Sequence, residues 1–122
     1  FVRMLELFAN DHKRITSLIS NCAVSDDITS KTISEIYKKY NYLLEPHGAV
    51  AYYGLNEYLK NNPSDKGIIL ETAHPVKFED TVSAIINEQV EIPESVKYLL
   101  NLKKQSVVVN PDINELKAIL TK

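Results

Sequence analysis

The stretch Gly67 to Phe78, "GIILETAHPVKF", decides how the chain is read. Its first four residues, Gly67 to Leu70, form a short apolar run of the kind that makes a buried strand. A hydroxyl, an imidazole and an amine follow at Thr72, His74 and Lys77. In open α/β sheets, ligands collect outside the carboxyl ends of strands, so Thr72 and His74 are candidates to face one. A plain turn explains the same residues, with Thr72 bonded to nearby backbone. The pattern alone leaves both readings open. Lys77 reads either as an amine nucleophile, which would require desolvation, or as a surface lysine at a helix start.

Upstream lies "LLEPHGAVAYYGLNEYLKNNP", Leu43 to Pro63. Pro46 suits the first turn of a helix, where its missing N–H costs nothing. Val50, Gly54 and Tyr58, with Ala51, Leu55 and Leu59, form two i, i+4 rows, and Asn61-Asn62-Pro63 ends the helix. Gly48, Ala49, Ala51 and Gly54 leave one side thin, so a backbone or a ligand ring could come close. His47, at the helix start, reads as a donor or acceptor facing a site, or as a cap-region histidine bonded locally. Glu45, Glu71, Glu79 and Asp80 read as solvated carboxylates.

Further upstream, Ser25 or Asp26 can cap a helix whose inner face is Ile28, Thr32, Ile33, Ile36, Tyr37 and Tyr40. Lys38 and Lys39 fall in its last turn, where positive charge is favoured. Phe1, Met4, Leu5 and Phe8 predict a helix from Phe1 to about Ala9. "ITSLISNCAV", Ile15 to Val24, is rich in β-branched residues and predicts a strand, or a strand with a loop. Downstream, Phe78, Val82, Ile85 and Ile86 mark a helix, and Val96, Leu99 and Leu100 a shorter one. "SVVV", Ser106 to Val109, could be a strand. A last helix follows, with Asn110 as cap, Pro111 at its first position, and Ile113, Leu116 and Leu120 facing inward. Helices alternating with strands argue for an α/β fold with a partial, mostly parallel sheet flanked by helices. Strands this apolar want cover on both faces, which fits part of a larger sheet better than a free domain.

A chain of 122 residues is expected to form one segment, 1–122. With 44% hydrophobic and 25% charged residues its composition is globular. A formal net charge of −2 supplies no basic field for nucleic acid and no polybasic strip for a membrane. No apolar run approaches the ~20 residues that span a bilayer. The single cysteine, Cys22, excludes an intrachain disulfide, points to the cytoplasm, and reads best as a small buried hydrophobe. The three glycines are too scattered for a phosphate-cradling loop, and His12, His47 and His74 have no metal-ligand spacing, so no metal is expected. The first residue is Phe1 rather than Met, which suggests a processed product or a piece of a longer chain.

"LLEPHGAVAYYGL" followed by "GIILETAHPVKFEDTV" resembles the C-terminal part of the threonine synthase family, with its "PH-x-A" and "TAHP-x-KF" elements in that order. "FVRMLELF" and "ISNCAVSDDITSKTISEIYKKYNYLLEPH" are similar to the family as well, so the likeness runs to about Leu100. Gly48 stands where a threonine is common, and Val76 where an alanine is common. The resemblance implies a pyridoxal-phosphate enzyme of the tryptophan-synthase-like fold type. It also implies a reaction of O-phosphohomoserine and water that yields threonine and phosphate. On that likeness Thr72 matches the position whose hydroxyl bonds the pyridine nitrogen, with His47, Ala73 and His74 as support and no catalytic residue in the chain itself. The lysine that carries the cofactor and the loop that holds its phosphate belong to the family's N-terminal half. The chain would then be a fragment, inactive alone, whose partner is that half. Two rival classes remain: a stand-alone, non-catalytic α/β binding or regulatory module, and a small hydrolase using Cys22 with a histidine.

Overall fold

The structure, a computed structural model, describes residues 1–121. Its helices are α1 (Val2–Leu7), α2 (His12–Leu18), α3 (Asp26–Tyr40), α4 (Pro46–Asn61), α5 (Glu79–Ile86), α6 (Glu94–Lys97) and α7 (Ile113–Leu120). Short 3₁₀ turns, Pro75–Phe78 and Tyr98–Asn101, lead into α5 and out of α6. The chain divides into two compact units, Phe1–Glu91 and the residues from Ile92 onward.

The first unit is organised by α3. The Ser25 hydroxyl accepts from the Ile28 N–H at 3.3 Å, and Asp26 and Asp27 place negative charge in the first turn. Lys38 and Lys39 occupy the last turn, and Asn41 ends the helix in the left-handed region at φ 53°. Along its inner face Thr32, Ile33 and Ile36 are buried, and the Thr32 hydroxyl donates back to the Ile28 carbonyl at 2.8 Å. α3 packs against both α4 and α5. Ile33, Ile36, Leu44 and Ala49 form the core, with Leu43, Tyr52, Ile69, Ile85 and Ile86 packed around it. Burying one such isoleucine contributes about 2 kcal/mol.

The expected α/β fold is not the one adopted: among the described residues there is no strand and no sheet. Gly67 to Leu70 is irregular rather than a ladder strand. A strand exists only where a neighbour takes its N–H and C=O groups, and no described segment does so here. The run keeps a strand's alternation all the same. Ile69 turns into the core, while Ile68 and Leu70 stay 89% and 78% exposed. Gly67 lets the run lie close along α4, since a Cβ there would come within 2.8 Å of Leu55 Cδ2.

The strand expected over Ile15 to Val24 is half helix. Asp11 caps α2 by accepting from the Arg14 N–H at 3.1 Å. The Thr16 and Ser17 hydroxyls then donate back to the His12 and Arg14 carbonyls, at 3.0 and 2.9 Å, so the polar residues are satisfied within a helical turn. Residues 19–25 are irregular, and Cys22 is exposed rather than buried. The strand expected over Ser106 to Val109 is also absent, with Val107 and Val108 73% and 96% exposed.

In the second unit α6 and α7 are where the sequence puts helices, but the cap of α7 is Asp112. Its carboxylate accepts from the Asn114 and Glu115 N–H groups at 2.7 and 3.2 Å. Asn110 instead donates through its side chain to Glu115 at 2.9 Å. The apolar face of α7, Ile113, Leu116 and Leu120, is exposed rather than inward.

Candidate functional site

The polar chemistry of the first unit gathers at the start of α4. Glu45 directly precedes Pro46, and its wholly buried side chain caps the helix. One oxygen accepts from the Gly48 N–H at 2.9 Å; the other accepts from the His47 N–H at 2.9 Å and from the His47 ring Nδ1 at 2.8 Å. Burial pushes this carboxyl up, but the bonds from the His47 N–H, the His47 ring and the Gly48 N–H together outweigh it. The Glu45 pKa falls below its usual value. An ionised carboxylate only accepts, so His47 Nδ1 carries the proton, on a side chain that is 69% exposed. The His47 ring stands 5.4 Å from the Phe78 ring, tilted by 59°.

A second carboxylate closes on the same place. Glu71 is half-buried and accepts from the Tyr42 hydroxyl through one oxygen and from the Glu45 N–H, at 3.4 Å, through the other. The bond to Glu71, then burial, then the carboxylate's charge raise the Tyr42 phenol above its ordinary pKa. The Glu71 side chain rests on Gly48, where a Cβ would lie 2.9 Å from Glu71 Cγ and closer still to Oε1. The thin side expected at Gly48 and Ala49 is therefore filled: both residues are buried and the glycine's space is taken by a carboxylate.

Thr72 follows Glu71 directly. It is exposed and belongs to no regular element. Ala73 is half-buried. His74 is exposed and caps the 3₁₀ turn, its Nδ1 accepting from the Val76 N–H at 3.2 Å, so its imidazole meets the local demand of a turn. Lys77, in the last position but one of that turn, is exposed. The fold thus brings the start of α4 and the Thr72–Phe78 element together through Glu71 on Gly48 and through His47 beside Phe78. Glu45 and Glu71, read from sequence as solvated, are the groups that do it. The residue before a proline at a helix's first position is its cap, and that signal marks Glu45; nothing local marks Glu71.

A shallow groove of about 560 Å³ runs along another part of α4, between Cys22 and Val50, Gly54 and Tyr58, and contains no residue of the Thr72 element. Among the described residues no cluster of histidine, cysteine, aspartate or glutamate could hold a metal ion. No helix among them is long and apolar enough to cross a membrane.

The family profile described as "Threonine synthase, C-terminal" matches residues 48–120. The chain belongs to that family. The match takes in Gly48, Glu71, Thr72, Ala73 and His74, begins one residue after His47, and runs well past Leu100 into the tail. Threonine synthase of Buchnera aphidicola subsp. Schizaphis graminum is 41% identical over 98 residues, covering 80% of this chain and 22% of that protein. Among solved structures, threonine synthase from Escherichia coli aligns with a TM-score of 0.69 at 36% identity, over 82% of this chain and 23% of that one. The pyridoxal-phosphate-bound threonine synthase from Brucella melitensis aligns with a TM-score of 0.66 at 25% identity, over 98% of this chain and 27% of that one. The chain thus spans about a quarter of the length of these threonine synthases.

Proposed function

We propose that the chain serves as the C-terminal segment, 1–122, of a pyridoxal-phosphate-dependent threonine synthase, a lyase that converts O-phosphohomoserine and water to threonine and phosphate. The observation that carries this reading is the family match over 48–120, which includes the Thr72 element. The exposure of Thr72 at the end of an extended run supports it further.

The exposed hydroxyl of Thr72 is the group that would meet one edge of the cofactor. When bound, pyridoxal phosphate supplies electron withdrawal from the substrate's Cα and Cβ. Thr72 would donate its hydroxyl hydrogen to the pyridine nitrogen. A neutral hydroxyl cannot hold a pyridinium as a carboxylate would, so the ring nitrogen keeps its lone pair. That bond is worth about 1 kcal/mol net, and its value lies in orienting the ring. Ala73, His74 and His47 are its supporting residues on this reading. The covalent lysine and the phosphate anchor come from the remaining part of the enzyme, which is this chain's partner. The chain alone is inactive, and the enzyme works in the cytoplasm.

Thr72→Val in the full-length enzyme is the test. It is expected to lower kcat about fivefold or more, the loss of one such bond, with the unfolding midpoint unchanged. Unchanged kinetics would refute the role of Thr72. The 122-residue chain is expected to release no phosphate from O-phosphohomoserine and to gain no borohydride-fixed pyridoxyl label; a stoichiometric label at one lysine would refute the division of labour.

A further inference from the structure

We propose that Glu71 is the positioning residue of Thr72 and that Gly48 is the socket built to receive it. The inference rests on the reading of Thr72 as the ring-nitrogen donor. Between Lys66 and His74 the chain has no ladder to hold it. Upstream of it, Asp65 is tied to the Tyr58 hydroxyl at 3.0 Å. Downstream, His74 opens the 3₁₀ turn. Within the run itself, Ile69 packs on the core and Glu71 makes the polar ties.

Those ties are unusually convergent. One carboxylate oxygen takes the Tyr42 hydroxyl, the other takes the Glu45 N–H at the head of α4, and the methylenes lie on Gly48. A residue one peptide bond from Thr72 is thereby held from three directions, by the stretch from Tyr42 to Ala49, which is itself anchored in the core through Leu44 and Ala49. Glycine is a poor helix former, and Gly48 sits in the first turn of α4. Its φ is not in the left-handed region, so conformational freedom does not account for it. Space does: any side chain at 48 would overlap Glu71. The glycine and the glutamate therefore act as one matched pair.

A double-mutant cycle on the full chain tests the pair. Gly48→Ala is expected to raise the urea unfolding constant about tenfold in the wild-type background. In the Glu71→Ala background it should instead lower that constant, by up to about fivefold, because the overlap is gone and alanine suits the helix. Equal cost in both backgrounds would overturn the socket. The amide order parameter of Thr72 is expected to fall from the rigid range near ~0.85 toward ~0.6 in Glu71→Ala, while the α3 amides hold theirs. An unchanged Thr72 amide would overturn the positioning role even if the socket were real. Glu71→Gln, which keeps the shape, should bring the Tyr42 phenol back toward its ordinary ionisation, and no change there would remove Tyr42 from the clamp. The two layers fail separately. Coupling with unaltered Thr72→Val kinetics would leave the clamp and remove the ring contact; slowed Thr72→Val turnover without coupling would do the reverse.

Discussion

Glu45 and Asp112 do the same job at the starts of α4 and α7, each accepting from two backbone N–H groups of the first turn. Their surroundings differ completely. Glu45 is wholly buried, over a helix whose next turns join the core of Ile33, Leu44 and Ala49. Asp112 is exposed, on a helix whose apolar residues Ile113, Leu116 and Leu120 are 61%, 43% and 75% exposed. No described residue from Ile92 onward is fully buried. Capping and an apolar stripe are enough to form a helix, but they do not bury it. The same local grammar therefore yields a cooperative core in one unit and marginal elements in the other.

The largest effect should come from Ile33→Ala, which leaves a cavity at the centre of the first unit. It is expected to cost about 3–4 kcal/mol by urea unfolding. A cost under about 1 kcal/mol would dissolve the contrast between the units. Glu45→Ala comes next, at about 2 kcal/mol, since it removes a cap and leaves the His47 and Gly48 N–H groups without their acceptor. Its pH signature is specific. The folded carboxyl lies below the usual value of 4.5, so its stabilisation is complete above that pH and is lost as the pH falls through the folded pKa. Glu45→Gln should flatten the acid limb of a stability-against-pH curve, and an unaltered limb would remove Glu45 as its source. Ile69→Ala should cost about 1–2 kcal/mol, whereas Ile68→Ala, on the exposed side, should change stability by less than about 0.5 kcal/mol. Equal effects would mean that the run does not keep its alternation. Asp112→Ala should be smallest, a loss of helical signal from α7 with the unfolding midpoint of the first unit unmoved.

Helices bounded by strong local signals were legible in the sequence. Ser25, the isoleucines of α3 and the lysines at its end define that helix, and Pro46 with Asn61-Asn62-Pro63 brackets α4. Burial of Ile33 and Ile36 follows from the same periodicity. The sheet was not legible, because an apolar run such as Gly67–Leu70 looks the same whether or not a second run lies beside it; pairing is a property of two segments. α2 misled for a different reason. Its isoleucine and threonine carry β-like statistics, yet the threonine and serine hydroxyls are satisfied by preceding carbonyls within a helix. The family likeness was legible because "PHGAV" and "TAHPVKF" are contiguous motifs. Glu71 was not, because its partners Tyr42, Glu45 and Gly48 lie more than twenty residues away in sequence. Its role depends on a meeting that only the folded chain brings about.

The fit between a side chain at 71 and the bare backbone at 48 also constrains ancestry. A lineage moving from this arrangement to one with a bulkier residue at 48 has a safe order of steps: trim position 71 first, then fill position 48. The opposite order passes through an intermediate that is worse than either endpoint, so descendants are expected to retain both residues or to have exchanged both.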